Sequence, residues 1–314
     1  MKNKYYIYSF FVIIILVVYM ILNISGRTDI VAFYSSWLKN RFKEGYVDVR
    51  NPFYRKNISR IYFKDVDGIV FCTKNPMPLL DIVKDIKIPS IYHITLTSYK
   101  KDIEPNVPPK GKIIEAIKKL SKIVGKDKIW VRYDPVFIND VYTLDYHIKN
   151  FNRMCELLDG YTNKIIISFL DIYQNVRYNM SYLRPKELTE DDYKKIGVSF
   201  STSAKKHNMT VQTCAEKRNL SEYGFIVSDC VNKEIARELT GKNKFKTSTL
   251  RKGKCSCVEM ADIGEYNTCM HLCKYCYANY DEIKVKDNIK LHDPKSSLLI
   301  GYIDKNDVIK ERKN

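Results

Sequence analysis

The sequence predicts an α/β fold in which strands of a parallel sheet alternate with helices, arranged as a partial (βα) TIM-like barrel. Two observations carry this. Short apolar runs of the kind buried on both faces of a sheet recur between amphipathic stretches with helical spacing. Polar residues then gather just after successive runs, and a parallel barrel brings such strand ends to one face. The size allows it, since 314 residues cover a barrel of about 250 residues with appendages. Apolar residues make up 45% of the chain, enough for a large core.

In order, residues 20–25 read as a short buried strand, followed by a polar turn and a helix over 30–42 with Thr28 or Asp29 as its cap. Residues 46–50 and 59–63 form a hairpin around the polar 51–57 turn. A buried strand over 68–72 runs into a loop that Pro76 turns away from helix. Strands follow at 91–96, 129–132, 165–170 and 210–213, with helices at 113–124, 146–158 and 191–207. Beyond Glu216 the periodicity weakens to a short helix over 231–240, a basic loop over 241–253 and one more strand over 258–264. From Tyr280 onward the chain is polar and basic, and its last ten residues are expected to fray. The expected division is an extension over 1–19, the barrel-like domain over 20–265, and a C-terminal cysteine segment with a basic tail over 266–314.

Residues 5–22 are nearly all apolar and follow Lys2 and Lys4. Alone they read as a marginal membrane helix or signal anchor. If 20–25 is a strand of the fold, fifteen residues remain, which reach about 22 Å as a helix, short of a hydrocarbon core of about 30 Å. The expectation is that the working domain begins near Met20 and that the first 19 residues are an added segment or a mis-assigned start. Membrane association through 5–22 is the disfavoured alternative.

The chain carries nine cysteines, too few for a secreted disulfide scaffold of this length and clustered as in a metal protein, which points to a reducing cytoplasm. Cys269, Cys273 and Cys276 stand in a C-x3-C-x2-C spacing. Three thiols this close can converge on one metal centre, and an odd number cannot all pair as disulfides. Such gaps suit an iron–sulfur cluster, and three ligands on a 4Fe–4S cube leave one iron open. A structural zinc site with His271 or another cysteine as fourth ligand is the alternative. Cys214, Cys230, Cys255 and Cys257 would suffice for a second cluster or a closed zinc site, with iron favoured. Cys72 and Cys155 read as ordinary buried thiols, and His93, His147, His207 and His292 as capped or surface histidines.

Lys74, Asn75, Arg132, Asp134 and Glu216 follow strand ends and are the candidates for contacting a substrate or cofactor, with Arg27 and Asp29 beside them. Helix caps or rim ion pairs are the ordinary alternative for each. The net charge of +17 invites a nucleic-acid partner. The joint abundance of Lys, Ile, Asn and Tyr explains it equally by an AT-rich genome.

Several phrases stand together in order: Ser25-Gly-Arg-Thr-Asp29, Val47-Asp-Val-Arg-Asn-Pro52, Phe71-Cys-Thr-Lys-Asn-Pro76, Lys101-Asp-Ile-Glu-Pro-Asn-Val107, Arg132-Tyr-Asp-Pro135, Gln212-Thr-Cys-Ala-Glu216 and Asp262-Ile-Gly-Glu-Tyr-Asn-Thr-Cys269. In these the chain resembles domain of unknown function 1848, a family with a C-terminal cysteine cluster like the one radical S-adenosylmethionine (SAM) enzymes carry near their N-terminus. The resemblance implies a permuted barrel with the cluster loop last. It also implies a 4Fe–4S cluster on Cys269, Cys273 and Cys276, SAM bound at the open iron with Tyr275 near its adenine, and reductive cleavage to a 5′-deoxyadenosyl radical. A low-potential donor such as ferredoxin or flavodoxin would supply the electron. Two positions depart from the family pattern: Phe71-Cys72-Thr73, where Trp is expected before Thr, and Gly26, where Arg is usual. The resemblance names no substrate. The rival readings are a non-enzymatic metal protein and a radical SAM enzyme acting on nucleic acid.

Overall fold

The computed structural model describes residues 19–216, 218–249 and 255–313. The N-terminal run expected as an extension lies, up to residue 18, outside the described residues. Among the described residues, no helix is long and apolar enough to cross a membrane.

The strands are β1 (Ile21–Ile24), β2 (Tyr46–Arg50), β3 (Asn57–Tyr62), β4 (Gly68–Thr73), β5 (Ser90–Thr95), β6 (Ile129–Val136), β7 (Lys164–Phe169), β8 (Thr210–Thr213), β9 (Ile226–Val227), β10 (Met260–Asp262) and β11 (Val308–Glu311). The helices are α1 (Ile30–Phe33), α2 (Ser35–Glu44), α3 (Lys110–Val124), α4 (Leu144–Leu158), α5 (Gln174–Arg177), α6 (Met180–Leu183), α7 (Glu190–Lys206), α8 (Lys233–Thr240) and α9 (Glu282–Lys290). Eight strands form one sheet in the order β10-β1-β4-β5-β6-β7-β8-β9, and every neighbouring pair is parallel. The α/β expectation holds. The sheet has two edges, β10 and β9, so the expected barrel does not close.

Alternation along the strands separates two cores. Ile69, Phe71, Ile94, Val131, Ile165 and Ile167 pack with Ile113, Ile117 and Leu120 of α3, Phe151 of α4 and Phe200 of α7. Each such side chain contributes about 1.5–3 kcal/mol by leaving water. The opposite face, with Ile21, Val70, Ile91, Trp130 and Ile166, packs on Val231, Ile235 and Ala236, the last two from α8, and on Phe245 and Val258. The segments beside the two sheet edges meet there, and the Val258 N–H donates to the Val231 carbonyl at 2.9 Å.

Local chemistry sets several boundaries. The Thr189 side chain and Asp192 form a reciprocal capping box on α7. Gly45 (φ 81°) ends α2 in the left-handed region. The single helix expected over 30–42 is broken at Tyr34 (φ −131°), whose hydroxyl reaches the Thr268 carbonyl at 2.6 Å. Tertiary contact with the C-terminal segment overrides helical periodicity here.

The C-terminal part is more ordered than the sequence suggests. Asp281 caps α9 by accepting from the Ile283 and Lys284 N–H groups, a helix that polar composition had hidden. Against the expectation of fraying, β11 pairs in parallel with β3, which itself pairs antiparallel with β2. All four β11 residues are exposed, so backbone pairing and the bidentate Arg50–Asp307 pair (2.7 Å on each arm) hold the strand without an apolar pattern. The chain between α9 and β11 wraps α2: the Trp37 indole donates to the Ser296 and Leu298 carbonyls, and Arg41 to that of Lys295.

Candidate metal centre

All eight parallel strands point their C-terminal ends the same way, and the segments after β1, β4, β5, β7 and β10 converge there with residues 267–279. A recess of about 530 Å³ lies at the other end, beside the start of β5, lined in part by Lys84, Lys87, Ser90 and Lys128. None of the candidate groups lines it.

The loop bearing Cys269, Cys273 and Cys276 has an irregular backbone, with Asn267 and Leu272 (both φ 54°) in the left-handed region, a conformation that costs a non-glycine residue about 1–2 kcal/mol. Its carbonyls are caught by side chains from several elements. Asn288 donates to the carbonyl of Asn267, Tyr34 to Thr268, Asn279 to Cys269, Asn106 to Met270, Asn179 to Lys274 and Asn175 to Tyr277, at 2.5–2.9 Å. The asparagines were not among the sequence candidates; isolated Asn residues in loops carry no spacing signal.

Burial pushes the three thiols upward in pKa. Asp29 and the neighbouring sulfurs add to this at Cys269, while at Cys273 the Lys74 ammonium works against it. Backbone N–H groups point at sulfur, as from Ala278 to Cys276 at 3.3 Å. A cationic centre is therefore what would favour thiolates here. His271 has Nε2 3.0 Å from Asp29 and Nδ1 3.4 Å from the Asn106 carbonyl. With both ring nitrogens engaged, it is not placed as a fourth ligand.

Two carboxylates organise the surroundings. Glu104, 1% exposed, accepts from Lys74 (2.8 Å), Thr97 (2.7 Å), Lys110 and the Tyr275 hydroxyl. Burial alone would raise its pKa, but the ammonium groups of Lys74 and Lys110 outweigh that and hold it well below the usual range. Lys74 stays above its ordinary value because Glu104 offsets its burial. At Lys110 burial prevails and lowers it. Asp262 accepts from the Ser25 hydroxyl (2.9 Å), the backbone of Gly26 (2.5 Å) and Gly264 (2.8 Å), and Arg27 Nε (3.0 Å). Neither Glu104 nor Asp262 was singled out from sequence.

Of the predicted site residues, Lys74 and Tyr275 meet at Glu104, with the ammonium 5.3 Å from the ring centroid. Asp29 caps α1 through the Ala32 N–H and accepts from the Lys74 backbone as well as facing His271. Arg27 is tied to Asp262, and at Gly26 an added Cβ would stand 3.0 Å from the Asp262 carboxylate. Asn75 forms a local turn, its side chain accepting from the Met77 N–H. Glu216 accepts from the Phe169 N–H at 2.7 Å. Arg132 pairs with Asp134 (Nε 3.0 Å). Burial alone would lower Arg132, but Asp134, Cys214 and Cys230 raise it well above its ordinary value.

The remaining cysteines form a second group. Ligand atoms of Asp229, Cys255 and Cys257 lie within 4.8 Å of one another, an arrangement that could hold a metal ion. Cys230 Sγ is 3.4 Å from Cys257 Sγ. Cys155 is buried, as expected, whereas Cys72 is half-buried and 3.5 Å from the Asn23 side-chain oxygen. Contrary to the surface reading, His93 and His147 are both buried. Among the described residues His93 Nε2 has no hydrogen-bond partner, and burial with the nearby Arg132 lowers this group to about 3.

Fold and site together define a parallel α/β protein with a cysteine-containing candidate metal site at Asp229, Cys255 and Cys257. The family model described as "Domain of unknown function (DUF1848)" matches residues 21–278, and the chain belongs to that family. No curated protein and no solved structure matches it.

Proposed function

We propose that the protein is a radical-SAM-like iron–sulfur protein on a partial barrel, with Cys269, Cys273 and Cys276 holding a 4Fe–4S cluster. The observation that carries this reading is the loop itself: one buried thiol, Cys273, and two half-buried ones, Cys269 and Cys276, on a strained backbone whose carbonyls are fixed by Tyr34 and five asparagines. Such outer support is what orients metal ligands. The donor set fits the cluster, since three thiols without a histidine leave one iron open. When bound, the cluster supplies an electron at low potential for reductive cleavage of SAM.

The chain's own residues have definable tasks in this reading. Glu104 fixes the Lys74 ammonium beside Cys273, where its charge favours the thiolate. Asp29 joins the β4 turn to the loop by accepting from the Lys74 N–H and facing His271. Arg132 and Asp134 present paired charges suited to a carboxylate or an ammonium group on a ligand. SAM has both groups, so these residues are the candidates for holding it or the substrate. Lys74, Asn75 and Glu216 form the rest of the proposed rim, and ferredoxin or flavodoxin the proposed donor.

Anaerobic reconstitution with iron and sulfide counting tests the reading, comparing wild type with Cys269→Ala/Cys273→Ala/Cys276→Ala. The expected difference is about four irons and four sulfides. The loaded wild type should then convert SAM and dithionite to 5′-deoxyadenosine. Zinc without iron at the loop, or a fully loaded cluster that leaves SAM intact, would overturn it.

A further inference from the structure

We propose that Cys214, Cys230, Cys255 and Cys257 bind one divalent thiophilic ion, zinc or iron without inorganic sulfide, and that this ion locks the two edges of the open sheet together. The inference does not rest on the cluster reading for the C-terminal loop. Cys214 directly follows β8 and Cys230 follows the edge strand β9, while Cys255 and Cys257 precede the opposite edge strand β10. The thiols therefore come from both sides of the gap in the sheet. Among the described backbone, Val258 N–H to Val231 carbonyl bridges that gap directly beside the Cys230–Cys257 pair.

The Cys230–Cys257 separation is compatible with a single ion. Sulfurs around one tetrahedral zinc, each bonded at about 2.3 Å, stand about 3.8 Å apart, and Cys230 and Cys257 Sγ are separated by 3.4 Å. Cys214 interacts electrostatically with Cys230, and Cys255 sulfur accepts from the Cys257 N–H, so both lie beside the Cys230–Cys257 pair. The second iron–sulfur cluster expected from sequence is the competing occupant, and sulfide counting separates the two. The Val231 and Cys257 N–H groups point at Cys257 and Cys255 sulfur, each at 3.4 Å, the outer support expected of thiolate ligands. Four thiolates on a divalent ion leave a net charge of −2, and the half-buried Arg132 guanidinium next to Cys214 and Cys230 offsets part of it. Binding would release the four thiol protons to solvent. Asp229 has a carboxylate oxygen within 4.8 Å of the Cys255 and Cys257 sulfurs and is the competing ligand to Cys214 and Cys230, which the Asp229→Asn arm of the test decides.

The test uses the full chain with Cys269, Cys273 and Cys276 replaced by Ala, purified anaerobically. About one equivalent of zinc or iron without acid-labile sulfide is expected, absent after a further Cys214→Ser or Cys257→Ser and retained after Asp229→Asn. Because a Ser variant could lose metal by unfolding, a second measurement uses the wild-type chain: iodoacetamide mapping before and after chelation. Cys214, Cys230, Cys255 and Cys257 should alkylate about ten-fold faster once the metal is removed. Equal alkylation with and without chelator, several irons with sulfide, a Cys230–Cys257 disulfide in the native protein, or loss of metal in Asp229→Asn with retention in Cys214→Ser would each overturn the proposal.

Discussion

Glu104 shows how much one side chain can organise. It binds two lysines, a threonine and the tyrosine of the cysteine loop, and its own ionisation is secured by those lysines. Glu104→Gln keeps the shape and removes the charge, leaving two ammonium groups without their counter-ion. A loss of about 3 kcal/mol in urea unfolding is expected, and a change below about 1 kcal/mol would show the pairing to be energetically idle. His147 gives a pH prediction. Its Nε2–H donates to the Phe137 carbonyl (2.9 Å), so Nδ1 accepts from the Tyr133 hydroxyl (2.9 Å) and the buried ring is neutral. Burial lowers it from 6.5 to about 4, so the unfolded chain binds the proton first. Its contribution is present above pH 6.5 and is lost as pH falls toward about 4, by about 3 kcal/mol in all. Unfolding free energies across that window should lose this slope in His147→Gln. An unchanged slope would assign it to other groups.

At the scale of elements, the β1 and β10 ends are fitted to each other without slack. A Cβ on Gly264 would lie 2.0 Å from the Ser25 hydroxyl oxygen, inside the group that satisfies Asp262. Gly264→Ala should cost about 1–3 kcal/mol, and Ser25→Gly in the same chain should restore part of it. A double-mutant cycle reads the coupling, and strict additivity would place the strain elsewhere. The strand β11 supports a second element-scale prediction. Removal of residues 304–314 should expose the edge of β3 and strip hydrogen-exchange protection from its amides. Unchanged protection would mean that the β2–β3 hairpin stands alone. This strand was unreadable in advance because Val308–Glu311 bury nothing, and burial is what writes alternation into sequence.

For the whole molecule, the charge of +17 acts over distances that single pairs do not. Self-repulsion of a cationic chain weakens the compact state. Raising sodium chloride from about 20 to about 200 mM shortens the screening length to about 7 Å and should raise Tm by about 2 °C. A fall would indicate that specific ion pairs such as Arg50–Asp307 outweigh the general repulsion. The same salt series with added RNA or DNA would test the nucleic-acid alternative, because phosphate contacts weaken steeply over this range.

The sequence by itself determined what depends on neighbours along the chain. The periodicity of the β and α runs placed β2 and β8 at their observed bounds, 46–50 and 210–213, and put Lys74 and the Cys269–Cys276 triplet in loops, whereas β6 runs on past the expected end at 132 and takes Arg132 and Asp134 into the strand. Motif order carried the family. The tertiary structure alone decided that the sheet stays open, that Tyr34 splits a helix to reach Thr268, and that Glu104 and Asp262 are the hubs of the site. It also set which thiols touch: Cys230 meets Cys257 across 27 residues, and Tyr275 meets Glu104 across 171. The physical reason is range. Backbone propensity and burial repeat every two or four residues and leave a local trace, whereas a buried carboxylate finds its partners only after distant segments have packed.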